Sequence, residues 1–171
     1  MSVLELRPAG AEDQDFLLRV YASTRADEIA LTGWDEAQAA AFVRMQFVAQ
    51  QHHYRTHDED ADFAIVELDG EPVGRLYVAR RPERIHVIDI AILPAWRGHG
   101  HATALLRQLL AEGERRALPV SIYVEIHNRA QRLYARLGFE EVCSAGLYRL
   151  MQWRPIGATP PATPAASAPQ P

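Results

Sequence analysis

The sequence contains no lysine; all 18 of its basic residues are arginine. There is one cysteine, Cys143, which excludes an internal disulfide and fits a reducing compartment such as the cytoplasm. No run approaches the roughly 18 apolar residues of a membrane span. The opening residues Met1–Arg7 lack the basic-then-apolar order of a signal peptide. The formal net charge of −4 argues against a general affinity for nucleic acid. The Walker pattern is missing, since no Lys-Ser or Lys-Thr follows a glycine-rich turn. The dinucleotide pattern Gly-x-Gly-x-x-Gly is also unmet, because Thr103 stands where the third glycine belongs. His52, His53 and His57 cluster, but their spacing is not that of a metal site, and no metal is expected.

What is present is one domain of ordinary size. Leu4–Arg7 reads as a first strand. Ala11–Asp27 has helical spacing, with Phe16, Leu17, Val20 and Tyr21 on one face. A second helix is expected from Asp35, a plausible N-cap, to about His52. Phe63–Leu68 and Pro72–Ala79 flank Asp69-Gly70, a strong hairpin signal. Ile85–Leu93 is a β-branched run and a candidate central strand. Ala102, Leu105, Leu106, Leu109 and Leu110 mark a third helix, and Pro119–Glu125 another strand. Asn128–Leu137 is expected to be helical, ended by Gly138, and Leu147–Trp153 closes the domain. From Pro155 the chain is uncharged and rich in Pro and Ala, so residues 155–171 are expected to be a disordered tail to a domain of residues 1–154.

The informative stretch runs from Ile88 to Ala102. A buried strand ends at Pro94, a turn carries Gly98 and Gly100, and a helix follows at once. Glycines let a ligand approach the backbone. The free N–H groups and dipole of a helix start favour an anion there, and Arg97 adds forked donors suited to phosphate. Together these describe a pyrophosphate cradle.

Arg97, Gly100 and Ala102 fit the pattern Arg/Gln-x-x-Gly-x-Gly/Ala, which resembles the acetyl-CoA motif of the GNAT superfamily of N-acetyltransferases. Ile90, Ile92 and Pro94 resemble its lead-in. Asn128, Ala130, Leu133-Tyr134 and Gly138-Phe139 resemble the second conserved block of the same family, and the two motifs occur in the right order. The resemblance spans Leu4 to Trp153. It implies an α/β (α+β) fold with a mixed central sheet, element order β-α-α-β-β-β-α-β-α-β-β, and two parallel strands that splay apart at the CoA site.

The resemblance also implies roles. Ile90, Ala91, Ile92, Arg97, Gly98, His99, Gly100, His101, Ala102 and Asn128 would bind acetyl-CoA, the acyl donor. The backbone N–H of Ile92 would face the oxyanion, and Tyr134 would protonate the departing thiolate; read without the motif, Tyr134 is a core tyrosine and Asn128 a helix N-cap. For the base two candidates stand. His86 lies where some members carry a glutamate, and Asp89 matches the pattern of aminoglycoside-acetylating members. Strand alternation puts the two on opposite faces, and either is otherwise a polar residue bonded within the sheet. Glu28, Trp34, Gln50 and Tyr54 are candidates for the acceptor site, against a solvated helix face.

The implied function is direct acetyl transfer from acetyl-CoA to a primary amine of a small molecule, peptide or protein, by a cytoplasmic enzyme. The alternative is a non-catalytic CoA-binding sensor or assembly module. Closing strands of such domains often pair between subunits, so a homodimer is one expected assembly.

Overall fold

The computed structural model describes residues 2–158. The elements are β1 (Leu4–Pro8), α1 (Gln14–Ala30), α2 (Glu36–His57), β2 (Asp62–Leu68), β3 (Glu71–Arg80), β4 (Ile85–Ile92), α3 (His101–Arg116), β5 (Val120–Glu125), α4 (Gln131–Arg136), β6 (Glu140–Ala145) and β7 (Tyr148–Trp153). The seven strands make one sheet in the order β1-β2-β3-β4-β5-β7-β6. β4 and β5 pair in parallel, with α3 as the crossover, while β1–β2, β5–β7 and β6–β7 are antiparallel. This is the mixed sheet that the order of elements implied. The chain divides into two compact units, residues 2–77 with 90–101, and residues 78–89 with 102–158.

In the first unit, Arg7 on β1 grips the buried Asp13 with two donors, each at 2.8 Å. This fork ties the chain entering α1 to the sheet, and it holds the Asp13 carboxyl below its usual range. Phe16, Leu17, Val20 and Tyr21 of α1 are buried with Val43 and Phe47 of α2. Asp35 caps α2 as expected: its side chain accepts from the Gln38 N–H at 2.8 Å, and the Gln38 side chain accepts from the Asp35 N–H, which is a reciprocal capping box. α2 runs one turn past His52, because no breaker intervenes before Asp58 and the His57 ring bonds the His53 carbonyl at 3.0 Å. Asp69 and Gly70 have φ of 52° and 82°, the left-handed pair that a two-residue hairpin requires.

In the second unit, Leu105, Leu106 and Leu109 bury the apolar stripe of α3. The helix touches the sheet at Gly113, where a Cβ would lie 2.8 Å from the Leu118 carbonyl and 3.0 Å from Val120 Cγ2. Val120 and Trp153 face each other in register on β5 and β7, so that side of the sheet carries α3. α4 begins at Gln131, three residues later than expected. The Asn128 side chain accepts from the Ala130 N–H at 2.9 Å, and this local turn competes with helix. Gly138 (φ 91°) ends α4, as expected. Pro155, the first residue of the expected tail, is buried, and the Ile156 N–H reaches Glu114 at 3.3 Å. From residue 159 the expected tail lies outside the described residues.

Among the described residues no helix is long and apolar enough to cross a membrane. Nor does any group of three or more His, Cys, Asp or Glu side chains among them offer a metal site.

Candidate active site

The expected residues divide between the two units. The feature that organises them is the parallel ladder of β4 and β5. Ile85, His86 and Val87 pair with Val120, Ser121 and Ile122. There the ladder stops, although β4 runs on to Ile92 and β5 to Glu125. Backbone groups that a continuing ladder would consume are thereby left to other partners. Past the end of β5, the Gln131 side chain ties the turn together. Its Nε2 donates to the carbonyls of Glu125 (2.9 Å) and Ile126 (2.7 Å), and its Oε1 accepts from Arg149 at 3.0 Å. Sequence reading passed over Gln131; its place in the second motif, just after Asn128, was the available signal.

In the first unit, β4 ends in a single turn of 3₁₀ helix at Pro94–Trp96. Gly98 and Gly100 follow with φ of 77° and 82°, conformations that a side chain would strain. His99 bonds the Arg97 carbonyl through Nδ1 at 2.8 Å, which tightens the turn. α3 begins at His101, so the turn delivers the chain to a helix start whose first N–H groups have no intrahelical acceptor. Gly98, His99 and Gly100 are exposed and His101 and Ala102 half-buried. Arg97 is exposed, but its guanidinium folds back along the surface: Nε donates to the Ile92 carbonyl at 2.7 Å and Nη2 to Ser23 Oγ at 3.2 Å. It braces the strand-to-turn junction with one part of a fork that has five donors.

The backbone of β4 is closely packed on β3 there. A Cβ on Gly74 would lie 2.4 Å from the Ala91 carbonyl oxygen and 2.8 Å from Ile92 Cδ1. We expect Gly74→Ala to displace Ala91–Ile92 and to lower stability by about 1–3 kcal/mol, read as a lower denaturation midpoint. An unchanged midpoint would show that β4 yields at no cost.

In the second unit, the sides of β4 separate the candidate groups. Ile85, Val87 and Asp89 share the side of Val120, which is the α3 side; His86 takes the other with Ser121 and Tyr123. His86 Nδ1 hydrogen-bonds Ser121 Oγ at 2.9 Å, and its ring meets the Tyr123 ring at 5.5 Å, edge to face. Burial, then the charges of Arg84 and Arg81, push the imidazole pKa down to about 3. Tyr134, on α4, is buried with its ring 5.8 Å from Phe139. Burial raises its hydroxyl well above the usual phenol range, and the negative charge of Asp89 pushes the same way. Asp89 and Tyr134 are thus within electrostatic reach of each other, while His86 stands on the opposite side of the strand. Asn128 is exposed in the turn before α4.

Of the acceptor candidates, Gln50 and Tyr54 turn inward to β3. Gln50 Oε1 accepts from Arg75 Nη2 at 3.0 Å, and the Tyr54 ring lies 5.9 Å from Tyr77. Glu28 pairs with Arg25 at 2.9 Å on the surface. Trp34 is 43% exposed and packs on Phe42. The four therefore do not converge. Sequence reading missed Arg75, which is fully buried over the rings of Tyr21 and Tyr77. A lone charge inside the apolar run Pro72–Ala79 was its signal.

The profile of the Acetyltransferase (GNAT) family matches residues 23–139. The chain belongs to the GNAT acetyltransferase family. It is 36% identical to mycothiol acetyltransferase of Thermobifida fusca over 95 residues, 54% of this chain and 25% of that protein. The chain thus spans about a quarter of the length of this curated relative. Its fold is similar to that of the PaiA N-acetyltransferase of Thermoplasma acidophilum, solved in complex with coenzyme A. The TM-score is 0.65 at 15% identity, with 89% of this chain and 99% of that one covered. An acetyltransferase from Thermus thermophilus gives 0.61 at 22% identity, covering 88% and 96%. These likenesses support the fold that the two motifs implied.

Proposed function

We propose that this GNAT chain is an N-acetyltransferase that moves the acetyl group of acetyl-CoA directly to a primary amine. The observation that carries the reading is the parallel ladder that stops at Val87 and Ile122 while both strands run on. It leaves a place where an extended pantetheine arm can bond to strand backbone, in a chain whose β4 leads into a glycine turn and a helix start. Gly98 to Ala102 would hold the pyrophosphate, with Arg97 keeping the turn closed. The backbone at Ile90–Ile92 would bond the arm; Asn128, in the second unit, is the residue that the family's second motif assigns to CoA.

The chemistry follows from which groups are protonated. A free alkylamine has a pKa of roughly 10.4 and must lose a proton before it attacks. His86, with a pKa of about 3, binds a proton too weakly to take one from an ammonium ion. Its proposed role is to orient the acceptor as a neutral ring. Asp89 lies on the Tyr134 side, away from His86, so a base there would serve an amine entering from that side. The amine otherwise enters neutral or hands its proton to water. Tyr134 is held protonated, so its O–H is available to the sulfur. Since its hydroxyl is a weaker acid than a free thiol of pKa about 8.5, complete proton transfer to the thiolate is uphill. The stabilisation is then a charge-assisted hydrogen bond to sulfur as the C–S bond breaks.

The test is thiol release from acetyl-CoA with pooled amino acids, polyamines, aminoglycosides and peptides, with CoA binding followed by calorimetry. Turnover of a pool supports the reading and leads to the acceptor. CoA binding with no turnover of any pool would favour a CoA-binding sensor. Failure to bind CoA would sink the cradle itself.

A further inference from the structure

Helix α1 holds the glycine turn through a contact to which acetyl transfer as described gives no part. Arg97 is exposed, yet nearly all of its polar groups are committed. Its N–H donates to the Pro94 carbonyl at 3.2 Å, and its own carbonyl is bonded by His99 Nδ1 at 2.8 Å. Nε donates to the Ile92 carbonyl at 2.7 Å; Nη2 donates to Ser23 Oγ at 3.2 Å and lies 3.5 Å from the Ser23 carbonyl. Nε and Nη2 share one edge of the planar fork, so Ile92 and Ser23 occupy that edge together. Nη1 has no partner among the described residues, which leaves the outer edge free. Ser23 is itself fixed: its hydroxyl donates to the carbonyl of the fully buried Val20 at 2.7 Å. That bond uses the hydroxyl proton and leaves the oxygen to accept from Arg97. Thr24 makes the equivalent bond to the Tyr21 carbonyl, also at 2.7 Å, but has none to Arg97. All of these residues belong to the first unit.

We propose that Ser23 is a positioning residue for the acyl donor: it holds the inner edge of Arg97 so that the outer edge meets the pyrophosphate of CoA. This rests on the reading of Gly98–Ala102 as the pyrophosphate cradle. The direction of the Ile92 carbonyl places the guanidinium. The Leu93 N–H donates to the Val73 carbonyl of β3 at 2.9 Å, so the polar groups of Ile92, one residue back, point to the other edge of β4. That is the open edge, where the pantetheine arm would bond. Arg97 takes the last carbonyl on it, just before the glycine turn, and so stands where the arm gives way to the pyrophosphate. An exposed arginine loses rotamer freedom when it pairs with an anion. Ser23 and Ile92 impose that loss in the folded protein, so less is lost on binding. One bond from Nε leaves the guanidinium plane free to turn; the second contact fixes it. The outer edge then offers paired N–H groups to a phosphate. The effect of Ser23 therefore passes through Arg97, and it falls on donor binding, since the length of the pantetheine arm separates the pyrophosphate from the thioester.

Calorimetry of CoA binding tests this on wild type, Ser23→Ala, Ser23→Thr, Thr24→Ala, Arg97→Ala and the double variant Ser23→Ala/Arg97→Ala, with thermal melts to confirm folding. Ser23→Ala is expected to raise the CoA Kd about five- to tenfold, as for a lost hydrogen bond to a charged group. Ser23→Thr keeps the hydroxyl and its bond to Val20, so its Kd stays within about twofold of wild type. Thr24→Ala loses an equivalent helix bond without touching Arg97, and it too leaves the Kd unchanged. In the Arg97→Ala background, Ser23→Ala changes the Kd by less than about twofold, because the two residues act as one unit. With any amine that is turned over, KM for acetyl-CoA rises in Ser23→Ala while kcat at saturation is unchanged. The proposal is overturned if Ser23→Ala binds CoA as tightly as wild type or more tightly. It is overturned equally if the loss persists in full without Arg97, which would make Ser23 a support of α1 only. If wild type binds no CoA, the donor reading fails and the role of Ser23 with it. Binding that Ser23→Ala leaves untouched removes Ser23 alone and lets the donor reading stand.

Discussion

Replacing Tyr134 by phenylalanine is expected to lower kcat about a hundredfold, within the range for loss of one hydrogen-bond donor to developing charge, with CoA affinity changed less than twofold. The ring is what packs in the core, at 5.8 Å from Phe139, and phenylalanine keeps it, so the fold should survive. Only the hydroxyl is lost, and its work falls in the transition state as negative charge builds on sulfur. Loss of such an interaction lowers kcat and kcat/KM by the same factor. Because burial and the Asp89 charge both hold the hydroxyl protonated, no limb in the pH–rate profile between pH 5 and 9 should belong to it. Steady-state rates and CoA calorimetry on the two proteins check this. Activity within threefold of wild type would remove Tyr134 from the chemistry and leave it a core residue.

The parts of the fold that were legible in the sequence are those fixed by near neighbours. Asp69-Gly70 forces a hairpin by its own backbone preference, Asp35 caps with a side chain three residues from its donor, and Gly138 ends α4 because it accepts a left-handed φ. The leucine spacing of α3 and the alternation of β4 similarly depend on period alone. The boundary of α4 was misread because Asn128 has two local uses, cap or turn, and the Ala130 N–H decides between them. The cofactor turn was legible as a pattern of glycines. The direction in which Arg97 points was not, since its partners are a carbonyl five residues back and a serine 74 residues away. For the same reason Glu28 and Trp34 could not be separated from Gln50 and Tyr54 by helical spacing: what divides them is contact with β3. The neutral state of His86 required knowing that Ser121, Tyr123, Arg81 and Arg84 surround it, and β5 supplies two of these from 35 or more residues away in the chain.

That surrounding has a consequence for acid stability. His86 is expected to have a pKa of about 3 in the folded protein and about 6.5 in the unfolded chain. Above pH 6.5 the ring is neutral in both states and adds nothing to the pH dependence. As pH falls below 6.5, the unfolded chain takes up a proton that the folded protein refuses, so stability is lost at about 1.4 kcal/mol per pH unit, ending near pH 3. The whole effect is at most about 5 kcal/mol, a large part of a typical domain's stability. The groups around the ring all work in this direction or are neutral: Arg84 and Arg81 repel the proton, while Ser121 and Tyr123 carry no charge to hold it. His86→Gln removes the titration and should be less stable than wild type at pH 7.5, because the buried Ser121 loses its imidazole partner. Its denaturation midpoint, however, should fall less steeply between pH 6.5 and 4, by about one proton's worth of slope. Urea titrations across that range measure it, and ring NMR of His86 provides an independent reading. Equal slopes in the two proteins, or a ring that titrates near pH 6.5, would mean that the imidazole is not shielded. His86 would then regain the basicity that a general base for the incoming amine requires.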